Sequence, residues 1–384
     1  KMKFVFAPDS FKGSLTALEV AKLLDAAARK HFPQAETKLV PVADGGEGTV
    51  EALVSATGGE TRSVWVTGPM GDPVCASYGV LGDGETAVLE MAQASGLPLV
   101  FPHKPNPMLA SSRGTGELIK HVLAEGFGKL LIGIGGSATN DGGMGMLTAL
   151  GASFYNAEHK PVAAGGAGLA SVAEADVSGL DKRLAMAQIT VICDVNNPLL
   201  GEQGATYVYG PQKGATAEQM RELEAGMAQY AQVLSTAVGR DISLFAGAGA
   251  AGGMGAALGG VLGARLRSGI DAVLDAVGFD ELLGGASLVI TGEGRIDGQS
   301  IRYGKVPAGV AKRCAAKNVP VIALVGGMAE GACELYELMP QSSIMTTINA
   351  AMSMHKAIRN AKALFEDAAD RMFRTLLIGM RLDK

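Results

Sequence analysis

Aromatic residues are scarce in this 384-residue chain, at 5% of the total with a single tryptophan. A core short of aromatic volume has to be filled by aliphatic side chains and close backbone approach. Charge is thin as well: 18% of residues are charged and the net is -5, so no basic excess points to extended contact with DNA or RNA. The 48% apolar content excludes the low-hydropathy signature of disorder. Only four cysteines occur, Cys75, Cys193, Cys314 and Cys333, too far apart for CxxC metal spacing and too few for a disulfide framework. They are expected to be reduced thiols in a cytoplasmic protein. The chain opens without a long apolar segment or a small-residue cleavage site, so no secretory leader is expected, and Lys1 ahead of Met2 reads as an added residue.

Glycine is what the chain has in excess: 54 residues, about twice the usual share. One glycine-rich segment, Ile242 to Ala264, is uncharged over 23 residues and imitates a membrane span. Eight of those residues are glycine, each costing a helix about 1 kcal/mol relative to alanine, so no span is expected. Gly247 to Gly252 in the same segment matches G-x-G-x-x-G. No strand pattern precedes it and no acidic residue follows at the required distance, which leaves dinucleotide binding without support.

The pattern along the chain is that of a split α/β protein of two domains. Lys3 to Ala7 reads as a buried strand, Thr16-Ala17-Leu18-Glu19 as a capping box opening a helix to Phe32-Pro33, and Thr37 to Val42 as a second strand. From Thr61 the texture changes to hairpin segments, Ser63 to Thr67, Val74 to Leu81 and Thr86 to Met91, with further strands at Leu130 to Ile134 and Ile189 to Asp194. Strand and helix alternation resumes at Leu288 to Thr291, Val319 to Val325 and Ser343 to Ile348, before a last helix from Ala357 to Leu377. Two strands before the change and three after it make a five-stranded doubly wound domain of residues 1–62 and 286–384, with a second α/β domain, 63–285, inserted.

Four loops that follow strand ends are acidic and glycine-rich: Asp9 to Ser14, Asp44 to Gly48, Gly135 to Gly143 and Gly292 to Asp297. Glycines at that edge of a parallel sheet admit phosphate oxygens to backbone N–H groups, hydroxyls add donors, and carboxylates hold Mg²⁺. The combination points to phosphoryl chemistry. The Walker A motif and the protein-kinase signatures are absent, which excludes those two classes. Gly135, Gly136, Ser137, Thr139, Gly292 and Glu293 are the expected nucleotide and phosphate contacts. Lys12 and Arg295 offer fixed positive charge, with Arg113 and Lys305 as further cations. Asp194, after Val191-Ile192-Cys193, and Asp44 stand where a general base would sit. Asp9, Ser10 and Arg113 are the expected substrate contacts, and Asp141 and Asp297 the expected Mg²⁺ ligands. The five histidines form no HxH or HExxH pair and receive no role. A flavin or nicotinamide oxidoreductase is the rival enzyme reading, and a non-catalytic sugar-acid sensor the third.

Six stretches carry a resemblance that runs almost end to end: Ala7-Pro8-Asp9-Ser10-Phe11-Lys12-Gly13-Ser14-Leu15, Val42 to Thr49, Gly133 to Gly143, Cys193-Asp194-Val195-Asn196-Asn197-Pro198-Leu199, Gly210-Pro211-Gln212-Lys213-Gly214-Ala215 and Thr291 to Asp297. In these the chain resembles the bacterial glycerate kinase family. The resemblance implies a flavodoxin-like domain carrying an inserted restriction-endonuclease-like domain. It also implies Mg²⁺- and ATP-dependent phosphorylation of D-glycerate, in this branch usually to 2-phosphoglycerate, in glyoxylate, glucarate or galactarate breakdown; 3-phosphorylation, or a related small hydroxy acid as substrate, is the alternative. The implied partners are D-glycerate and ATP, with no nucleic acid and no membrane; a homodimer is the assembly considered.

Overall fold

The computed structural model describes residues 2–46 and 48–382; Lys1 and Glu47, the second acidic residue of the Asp44–Gly48 loop, lie outside them. The chain divides into two compact units, one of Lys1–Asp44, Glu51–Gly59 and Ser268–Lys384, the other of Gly45–Val50 and Glu60–Arg267.

The first unit is built on a parallel five-stranded sheet in the order Ser342–Thr346, Val321–Val325, Leu288–Gly292, Lys3–Pro8, Glu36–Leu39. Counted along the chain this is the order 2-1-3-4-5 of a flavodoxin-like doubly wound sheet. Its central strands are continuous apolar runs because helices cover both faces, and every residue of Leu288–Gly292 and Val321–Val325 is buried. The Glu36–Leu39 strand is shorter than Thr37 to Val42, yet ladder-like bonds continue beyond it, from Val40 N to Phe6 O at 2.8 Å and from Val42 N to Pro8 O at 3.0 Å. The helix Ala17–His31 starts at the capping box: Thr16 Oγ1 accepts from Glu19 N at 3.2 Å, and Glu19 Oε2 accepts from Thr16 N at 2.8 Å. Its stripe of Val20, Ala21, Leu24 and Ala28 is buried. A cluster of phenylalanines packs here. Phe4 lies 5.3 Å from Phe32 and 5.7 Å from Phe373, and Phe11 lies 5.4 Å from Phe365. One end of the chain is thereby locked to the other.

The second unit carries a six-stranded mixed sheet in the order Arg265–Arg267, Gln188–Ile192, Lys129–Gly133, Thr86–Glu90, Pro73–Val80, Glu60–Thr67. The first four strands are parallel and the last two antiparallel, as the hairpin texture of the sequence leads one to expect. The segment Ile242 to Ala264 does not form a spanning helix. It folds as a turn, the helix Ala250–Gly255 and a wide turn Ala256–Val261, with positive φ at Ala251, Gly252 and Gly253. Among the described residues no helix is long and apolar enough to cross a membrane.

The unit boundaries differ from those expected. Residues 60–62 belong to the second unit because Glu60–Thr67 pairs over its whole length, from Glu60 opposite Val80 to Thr67 opposite Pro73. Residues 268–285 belong to the first, because the helices Gly269–Ala276 and Phe279–Leu282 are tied to Arg313 on Val306–Lys317. Its guanidinium lies 2.6 Å from Asp275 and 2.8 Å from Asp280. A boundary placed where strands resume misses two helices that dock by charge.

Candidate active site

In the first unit, parallel strands bring their carboxyl ends to one edge, with Pro8 opposite Gly292. Asp9 follows the first, and its N–H is held by Gly292 O at 2.8 Å. Its Oδ1 accepts from Ser10 N at 2.6 Å. Burial pushes the Asp9 carboxyl up to about 7, the negative charge of Asp44 pushes the same way, and Ser10 and Lys305 oppose. Glu293, next after Gly292, is 7% exposed, and its Oε1 is buried with no hydrogen-bond partner. Burial raises its carboxyl to about 8, aided by the charge of Asp9, against the pull of Lys305. Two carboxylic acids that share a field and titrate near neutrality can hold or take up a proton. Lys12 and Arg295 are exposed on the same pair of loops, and Lys305 stands at the start of Val306–Lys317.

Two residues of these loops do other work than expected. Gly292 does not offer its backbone to a nucleotide. It is buried in the sheet, where a Cβ would lie 2.1 Å from Leu324 O, so only glycine lets the neighbouring strand approach. Asp297 caps the helix Gly298–Arg302, its Oδ1 accepting from Ser300 N at 2.8 Å and Ser300 Oγ at 3.0 Å. Those bonds, the backbone one first, hold its carboxyl below the usual range, so one oxygen is committed to the fold and not to a metal.

In the second unit the Gly135–Gly143 loop follows the strand Lys129–Gly133. Gly135 and Gly136 are exposed, whereas Ser137, Thr139, Asn140 and Asp141 are buried beneath them. The loop is pinned by its backbone, Leu97 N to Gly136 O at 2.9 Å and Ala138 N to Ser95 O at 3.0 Å. Thr139 is wholly buried with Oγ1 unpartnered, so its hydroxyl lies beneath the loop surface and not on it. Asp141 is likewise no metal ligand. Ser112 N, Ser112 Oγ and Gly145 N donate to its Oδ2 at 2.8, 2.9 and 3.3 Å, and Gly143 N donates to its Oδ1 at 3.1 Å. Burial raises its carboxyl while these four donors oppose. Among the described residues no cluster of three His, Cys, Asp or Glu side chains is spaced to hold a metal. Asp194 follows the adjacent parallel strand Gln188–Ile192 and is exposed. Arg113, at the start of the helix Arg113–Ala124, pairs with Glu117 at 2.9 Å and borders a cavity of about 240 Å³ lined also by Met144, Thr148, Phe154 and Tyr155.

The sequence profile of the glycerate kinase family matches residues 4–377. The chain belongs to the glycerate kinase family. It is therefore a kinase, and the oxidoreductase and sensor readings fall away. A relative from Escherichia coli (strain K12), named glycerate 2-kinase, is 48% identical over 382 residues, covering 99% of each chain. One from Bacillus subtilis (strain 168), named glycerate kinase, is 47% identical and covers 97% of this chain and 96% of its own. A crystal structure of a candidate glycerate kinase 2 from Salmonella typhimurium LT2 superposes with a TM-score of 0.90 at 47% identity, covering 99% of both chains.

Two side chains escaped assignment. Glu90, buried at the end of Thr86–Glu90, accepts from Val50 N at 2.9 Å. Lys213, in Gly210-Pro211-Gln212-Lys213-Gly214-Ala215, is 2% exposed and donates to Ser137 Oγ at 2.8 Å and to Thr139 O at 2.7 Å. A lysine in a Pro-Gln-Lys-Gly turn reads as solvated, and nothing local to the sequence shows that it points inward.

Proposed function

We propose that this kinase transfers the γ-phosphoryl group of ATP to the 2-hydroxyl of D-glycerate, releasing ADP and 2-phosphoglycerate. The observation that supports the chemistry is the pair Asp9 and Glu293, two carboxyls raised to about 7 and about 8 at a sheet edge flanked by cations. The 2-position rests on the name of the Escherichia coli relative. Asp9 is the less buried of the two and its oxygen is oriented by Ser10, so it takes the proton of the glycerate hydroxyl, while the charge of Asp9 helps keep Glu293 protonated. As the new O–P bond forms, the bond between the β,γ-bridging oxygen and the γ-phosphorus breaks, and ADP leaves with the bridging oxygen. Lys12 and Arg295 neutralise the glycerate carboxylate and the transferring oxygens. The exposed backbone of Gly135 and Gly136 cradles the nucleotide phosphates. Mg²⁺ keeps most of its waters and needs only one or two protein oxygens; the exposed carboxylate of Asp194, on the sheet edge that carries this loop, fits it. When bound, the ion neutralises phosphate charge. The reaction belongs to organic-acid breakdown in the cytoplasm.

Incubation with D-glycerate and MgATP, with ADP release followed and the product fed to enolase, tests the assignment. Enolase turnover is expected. ADP release without turnover would place the phosphate on the 3-hydroxyl, and no ADP release would remove glycerate as substrate.

A further inference from the structure

An ammonium group buried without purpose is disfavoured: a lysine is almost never fully enclosed unless paired, and an apolar residue of the same volume is often as stable or more so. Lys213 is enclosed behind the Gly135–Gly143 loop, whose Gly135 and Gly136 are exposed, and it gives two of its three N–H donors to that loop. One goes to a backbone carbonyl, Thr139 O, which fixes the peptide path. The other goes to the Ser137 hydroxyl, and a hydroxyl that accepts from an ammonium keeps its own hydrogen to donate. Asp141, whose charge acts on Lys213, is occupied by Ser112, Gly143 and Gly145. The positive charge is thus attached to the loop, one hydroxyl away from its surface.

We propose that Lys213 is the positioning residue of the nucleotide site: its buried ammonium holds the Gly135–Gly143 loop in shape and polarises the Ser137 hydroxyl toward a phosphate oxygen of ATP. The inference rests on the reading of that loop as the phosphate cradle. It has a consequence that a purely structural lysine lacks. Burial lowers the Lys213 ammonium to about 7, with Asp141 opposing, so part of the free protein is neutral there above neutral pH. A bound polyphosphate favours the charged form, so nucleotide binding takes up a proton, and affinity falls as pH rises through and above that value.

Titration calorimetry with Mg·AMPPNP at about pH 8, in two buffers of different ionisation enthalpy, reads both affinity and protons taken up. The wild type is expected to take up more protons than Lys213→Met, up to about one. The variant is expected to bind Mg·AMPPNP roughly 10- to 100-fold more weakly, the scale of a lost charge-assisted hydrogen bond, with D-glycerate binding unchanged. Should Lys213→Met lose its cooperative melt, Ser137→Ala decides in its place, since it breaks the chain at the hydroxyl and keeps the lysine. Gly135→Val separates the two readings, because a Cβ there meets nothing closer than Gly45 O at 4.0 Å while filling the space a phosphate would use. Loss of binding in Gly135→Val with wild-type affinity and proton uptake in Lys213→Met would overturn the role of Lys213 alone. Unchanged binding in both would overturn the cradle itself.

Discussion

At the scale of single residues, Glu293 sits in surroundings that disfavour its anion. Its folded value near 8 lies above the ordinary 4.5, so its protonated form is favoured by folding. The sign follows from that: the contribution to stability is complete below the ordinary carboxylate value and is lost as pH rises through about 8. Glu293→Gln should therefore raise the melting temperature at about pH 8 by several degrees and leave it nearly unchanged at about pH 4, which thermal denaturation at the two pH values checks. Asp194 gives a contrasting expectation. If it supplies an oxygen to Mg²⁺, Asp194→Asn should raise the Mg²⁺ concentration needed for half-maximal rate by about tenfold or more, with the D-glycerate KM little changed; Mg²⁺ titrations of initial rate measure it.

At the scale of elements, the glycine-rich segment after Ile242 is explained by what it touches. Gly252 O accepts from Gly142 N at 3.0 Å, and a Cβ on Gly252 would stand 2.0 Å from Thr139 O. The segment that imitates a dinucleotide motif is the support on which the Gly135–Gly143 loop, the proposed phosphate cradle, rests. Gly252→Ala should destabilise the protein by about 1–3 kcal/mol, since its φ of +69° also strains a side chain, and should weaken nucleotide binding through the displaced loop. Denaturant midpoints and Mg·AMPPNP affinity read the two effects. The docked helices Gly269–Ala276 and Phe279–Leu282 make a second case. Arg313→Met keeps the stem but leaves Asp271, Asp275 and Asp280 without their shared cation, at distances of 3.6, 2.6 and 2.8 Å in the native protein. A loss of about 1–3 kcal/mol in chemical denaturation is expected, shrinking in high salt.

At the scale of the whole molecule, the fold was legible where burial is one-sided or complete. The runs Lys3–Pro8, Leu288–Gly292 and Val321–Val325 are apolar because helices cover them, and the acid and glycine clusters after them mark the sheet edge. What the sequence hid depends on long-range contact. Asp9 and Asp44 were visible as acids, but that Glu293 faces the charge of Asp9 follows from pairing Pro8 with Gly292, 284 residues apart. Asp141 looked like a metal ligand because nothing local to it shows Ser112 folding over its carboxylate. Lys213 was hidden for the same reason.

The most direct test of the account is the pH dependence of single-turnover phosphoryl transfer to D-glycerate, in the wild type and in Asp9→Asn, between about pH 5 and 9. A wild-type rate that rises with pH through an apparent value near 7 is expected, with Asp9→Asn slower by at least about 100-fold, flat across that range and unchanged in ATP affinity. An Asp9→Asn enzyme that keeps the wild-type rate and its rise with pH would show that the proton leaves glycerate by another route.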